Sequence, residues 1–128
     1  MLLRRAVFLP MIAWSLLMAT SQALAQDAMT IDFSFRESRG CVTLFPNPEI
    51  KFQNIPVGAK SVLLRLRQGA RELGGQEVLM PASGILPANT VRTFAPCNPG
   101  TYAYEAIVKS TTGQVLAKTE QLHFFPND

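Results

Sequence analysis

The chain has 128 residues and a mass of 14.1 kDa, which is room for one domain. Hydrophobic residues make up 48% of it, which excludes a disordered chain, and charged residues only 16%. The formal charge is +3, but Arg4 and Arg5 belong to a leader. Without them ten basic residues face nine acidic ones, a balance that argues against nucleic-acid binding.

Residues 1–25 have the three zones of a secretory signal peptide: Arg4-Arg5, an apolar run over 7–19, and the small-x-small site Ala23-Leu24-Ala25. The apolar run has 13 residues, short of the ~20 that span a bilayer, so no transmembrane anchor is expected after cleavage. Residues 26–128 are expected to form the mature domain, in the periplasm or secreted. Two cysteines reach that oxidising compartment, and Cys41 and Cys97 are expected to pair. No CxxC spacing points to redox chemistry instead.

Along the mature chain a period of two dominates, the mark of strands half-buried in a sheet. Met29, Ile31, Phe33 and Phe35 share one face. Residues 41–45 and 49–55 are β-rich. In 61–67, Val62, Leu64 and Leu66 point one way and Leu63, Arg65 and Arg67 the other. Residues 69–74 read as one helical turn. Short strands are expected at 76–80 and 90–94. Over 101–109, Tyr102, Tyr104, Ala106 and Val108 share a side. Two last strands are expected at 114–118 and 121–125, and Ser110-Thr111-Thr112-Gly113 reads as a hairpin turn. Proline- and glycine-rich pieces separate the runs. The fold class expected is all-β, a single antiparallel Greek-key β-sandwich.

Two stretches resemble the phosphatidylethanolamine-binding protein family. Pro56-Val57-Gly58-Ala59-Lys60-Ser61, with Asn47-Pro48 before it, is similar to that family's Ser-Pro and Val-Pro-x-Gly-Thr-Lys-Ser. Ala95-Pro96-Cys97-Asn98-Pro99-Gly100 through Tyr104 resembles its Gly-Pro-Cys-Pro-Pro-x-Gly-x-His-Arg-Tyr. Met80-Pro81-Ala82 and Ile85-Leu86-Pro87 fall between them in the family's order. The resemblance implies a binding protein, yet the family's anion-pocket motifs fall here on Gln68-Gly69-Ala70, on Gly74-Gly75 and on Tyr102. It therefore implies a reduced member without the usual anion site. Pro99-Gly100-Thr101-Tyr102 is also similar to the start of a late strand in immunoglobulin-like and fibronectin type III domains, where a tyrosine hydroxyl ties down a corner.

No catalytic site is expected. His123 is the only histidine, is expected to face solvent opposite Leu122 and Phe124, and has no visible nucleophile partner. The acidic residues show neither metal-loop spacing nor pairing, so neither a metal nor a cofactor is expected. The candidate ligand contacts are Arg65 and Arg67, two residues apart on one strand face, and Tyr102 and Tyr104 on another. Their expected partner is a small ligand or a protein.

Overall fold

The structure, a computed structural model, describes residues 28–127; the expected leader and cleavage site lie outside them. Nine strands run in chain order: β1 (Thr30–Asp32), β2 (Phe45–Pro46), β3 (Ile50–Gln53), β4 (Ser61–Gln68), β5 (Arg71–Leu79), β6 (Ile85–Leu86), β7 (Arg92–Thr93), β8 (Gly100–Lys109) and β9 (Val115–Phe125). The described residues contain no helix. All pairings are antiparallel. One sheet has the order β1-β3-β6, the other β5-β4-β8-β9, and β2 pairs with β7 as a short ribbon. The chain passes from β3 to the large sheet, makes the β4–β5 hairpin, returns to β6 beside β3, then crosses again to lay β8 beside β4. That is the expected Greek-key sandwich.

The core lies between the two sheets. Val62, Leu64 and Leu66 of β4 and Tyr102, Tyr104, Ala106 and Val108 of β8 meet Ile31, Ile50, Phe52 and Leu86 from the small sheet. Burying such a side chain contributes about 2 kcal/mol, so alternation alone fixes which face of each strand turns inward. Phe33, Phe35, Phe45 and Phe125 close the core as an edge-to-face cluster with centroids 5.1 to 6.4 Å apart.

Several elements differ from the sequence expectation. Residues 69–74 are not a helical turn. The chain reverses at Gly69-Ala70, and β5 runs from Arg71 through a β-bulge at Leu73-Gly74, where Gly74 takes φ +99°, and on past Gly75. A Cβ at Gly75 would come within 2.6 Å of the Arg65 Cγ and 2.7 Å of the Leu64 carbonyl oxygen, so this strand position must be glycine. The two expected last strands are one, β9. Residues 41–44 are exposed and form no strand; only Phe45 and Pro46 do. The hairpin before β9 forms as expected, with Gly113 at φ +84° and its N–H bonded to the Ser110 carbonyl at 3.0 Å.

His123 is placed differently too. It points opposite Leu122 and Phe124, as alternation requires, but that direction is the interior. Its ring packs edge-on against Phe33, with centroids 4.6 Å apart. Strand β9 therefore turns three polar residues, Thr119, Gln121 and His123, toward the small sheet.

The disulfide between Cys41 and Cys97 is present. It fastens the long β1–β2 connection to the corner that leads into β8. The Cys41 N–H adds a bond to the Pro96 carbonyl at 3.1 Å.

Candidate functional site on the outer face of the large sheet

The face of β5-β4-β8-β9 that turns away from the core is covered by no other strand among the described residues. Its centre is Glu105. The antiparallel register sets Glu105 opposite Arg65 on one side and Glu120 on the other. Arg65 donates to Glu105 Oε1 through Nε at 3.0 Å and through Nη2. Arg67 donates to Oε2 at 2.9 Å, and Lys118 Nζ lies 3.8 Å from the same oxygen. Arg65 also reaches Glu72 at 3.6 Å. Glu105 keeps only 3% of its side-chain surface exposed.

Burial on its own would raise the Glu105 carboxyl. The hydrogen bond and charge of Arg65, then Arg67 and Lys118, outweigh it and hold the group below its ordinary value. A carboxyl lowered in the folded state stabilises above its unfolded value of ~4.3, and that contribution is lost as pH falls through the lower folded value. Glu105→Gln is therefore expected to cost about 2 kcal/mol at neutral pH, discounted for arginines that remain partly wet. The gap to the wild-type chain should close below about pH 4. Urea unfolding at both pH values checks this; a gap unchanged in acid would contradict it.

Arg65 and Arg67 thus lie together as the sequence suggested, and their positive charge is largely matched by Glu105 and Glu72. The apolar side chains of Leu63 and Ile107 lie beside the cluster, and Leu122 is 57% exposed along the β9 edge. A shallow depression of about 420 Å³ opens over Glu105, lined by Arg67, Lys118, Thr119 and Glu120. The face is flat, amphipathic and near neutral, which suits contact with another protein surface better than capture of a small anion.

Tyr102 and Tyr104 are not on this face. Both are buried in the core, and they differ from one another. The Tyr102 hydroxyl donates to the Asn98 carbonyl at 2.7 Å, four residues upstream. The Tyr104 hydroxyl has no hydrogen-bond partner, and burial pushes its phenol up. Tyr102→Phe should cost about 1 kcal/mol, whereas Tyr104→Phe should be neutral or slightly stabilising. Equal losses in the two unfolding curves would contradict this assignment.

A second concavity, about 1270 Å³, lies beside the β1–β2 connection. Phe33, Arg36, Leu44, Lys51, Asn89 and His123 are among its lining residues. The Nε2 of His123 and the Oε1 of Gln121 are buried without partners. Among the described residues no group of three or more His, Cys, Asp or Glu could hold a metal ion, and no helix is long and apolar enough to cross a membrane.

Sequence reasoning found Arg65 and Arg67 but missed Glu105, whose link to them exists only through the β4–β8 register. It also missed Asn47, which is 2% exposed and joins the β2–β3 connection to residues 87–91. The tripeptide Pro46-Asn47-Pro48 was its only local signal. Comparison of the chain with protein-family models, with curated proteins and with solved structures gives no match.

Proposed function

We propose that the chain is a non-catalytic binding protein, exported to the periplasm or secreted, and a reduced relative of the phosphatidylethanolamine-binding proteins that works by protein contact. One observation carries the reading. The positions the resemblance assigns to an anion pocket are Gln68, Gly74 and Tyr102, and none of them carries a cationic side chain, although Arg71 lies opposite Gln68 in the register. Gln68 lies beside Gly100, where a Cβ would be 3.1 Å from its Nε2, and Gly74 lies against Thr93 and Phe94. Tyr102 turns into the core and spends its hydroxyl on Asn98. Amide, glycine and an engaged phenol offer no positive charge of their own, and we favour the outer sheet face, where Glu105 orders Arg65 and Arg67, as the binding surface.

A second reading has its own support. In the lettering used for immunoglobulin-like sandwiches, the large sheet reads C′-C-F-G and the small one A-B-E, and Tyr102 makes the corner bond at the start of strand F. On that reading the chain is an immunoglobulin-like or fibronectin-like accessory module. Both readings exclude anion capture at the Gln68 end.

Titration with phosphate and with phosphoethanolamine, followed through the amide resonances of Gln68, Gly74 and Tyr102, tests this. No saturable shift is expected up to about 10 mM, an affinity too weak to matter. Saturation at millimolar concentration or below, abolished by Tyr102→Phe, would overturn it.

A further inference from the structure

We propose that two copies of this chain pair through β9, antiparallel and symmetric about Thr119, so that two four-stranded sheets join into one of eight strands. Strand β9 is 11 residues long and lies at the edge of the large sheet. Over residues 117–123 its ladder partner among the described residues is β8 alone; a β-bulge falls at Leu116, and β1 packs against β9. A long edge with unpaired backbone donors and acceptors is a template for another strand unless its side chains forbid pairing.

The side chains of β9 select one arrangement. A two-fold axis perpendicular to the sheet keeps both outer faces on the same side and sets one residue opposite its own copy. Centred on Lys118, lysine meets lysine; centred on Glu120, glutamate meets glutamate; centred on Gln121, both charges meet apolar residues. Each of these is penalised. Centred on Thr119, Lys118 lies opposite the second copy's Glu120, and the contact occurs twice. Thr119 then meets itself, a favourable cross-strand pair. Lys118 and Glu120 are both exposed on the outer face and project the same way. Lys118 approaches Glu105 only at 3.8 Å, which leaves its remaining donors for a second carboxylate. The occupant is thus a second copy, chosen by charge complementarity. The proposal stands independently of the partner-binding reading.

Sedimentation velocity on the mature, oxidised chain tests it through a charge swap. The wild-type chain should be dimeric at about 0.1 mM, with the modest affinity of a small interface. Lys118→Glu alone and Glu120→Lys alone should each weaken the dimer at least ~10-fold, since like charges then oppose each other twice. Mixing the two variants should restore it, because every pair across the axis is again of opposite sign. Restoration also proves both variants folded.

Should Lys118→Glu disturb Glu105 and fail to fold, carbodiimide coupling of mixed isotope-labelled and unlabelled wild-type chains reads the same contact. A Lys118–Glu120 peptide carrying one label is expected. A monomer at about 1 mM would overturn the proposal. So would a dimer indifferent to both substitutions, a mixture that stays monomeric although both variants are folded, or coupling confined to within single chains. A monomeric chain that still captures a foreign protein on its outer face would sink the dimer and leave the partner-binding reading standing.

Discussion

Reducing the Cys41–Cys97 disulfide is expected to lower the stability of the folded domain by about 4 kcal/mol. The bridge spans a sequence separation of 56 residues, more than half of the domain, and chain-entropy arithmetic for a loop of that length gives this figure. A domain of this size holds ~5–15 kcal/mol in total, so the melting temperature should fall by roughly 15–30 °C. The local structure shows how much of this connection depends on the bridge. Residues 41–44 are exposed and form no strand, and between buried Phe35 and Phe45 the connection is held by the bridge, by the Cys41–Pro96 backbone bond and by the close approach of Gly40 to Pro96 and Phe125. Thermal unfolding with and without reductant, or of the paired Cys41→Ser/Cys97→Ser variant, reads the loss. A change below about 1 kcal/mol would mean that the unfolded chain is held together by something else.

Asn47→Ala is expected to cost about 3 kcal/mol, more than any other single polar substitution in this fold. Its Nδ2 donates to the carbonyls of Pro48 at 2.7 Å and Pro87 at 3.2 Å. Its Oδ1 accepts from the N–H groups of Thr90 at 2.8 Å and Val91 at 2.7 Å. All four bonds the amide can make are made. Its backbone adds two more, to the Val91 carbonyl and from the Asn89 N–H. Alanine would leave the N–H of Val91, a fully buried residue, without an acceptor. The β2–β7 ribbon should loosen with it, so amide exchange of Val91 and Thr93 should rise more than that of β4 or β8. Uniform acceleration across all strands would show instead that Asn47 acts on global stability alone.

The two long central strands were legible because each buries one whole face. In β4 and β8 every second residue is apolar, and the core follows from that spacing. Strand β9 was harder. Its inward face carries Gln121 and His123, so the apolar signal lapses and one strand reads as two. The two-residue strands β2, β6 and β7 are too short for any period to show, and they exist because tertiary partners hold them. The Gly74-Gly75 pair reads locally as a break. It lies inside β5 because Arg65 on the neighbouring strand needs the room. The candidate site divides in the same way. Arg65 and Arg67 were visible as neighbours on one face, a local property. Glu105 joins them from 40 residues away, through a register that no local pattern encodes.

The measurement that tests the central claim most directly is photo-crosslinking in the living cell from Leu79, which is 70% exposed on the outer sheet face, far from β9. Val57, 90% exposed in the β3–β4 turn, serves as the control position. A discrete adduct to another protein from position 79 and none from position 57 is the expected result. Adducts equal at the two positions, or none at either in a chain shown to be exported and oxidised, would contradict the proposal that this face binds a protein partner.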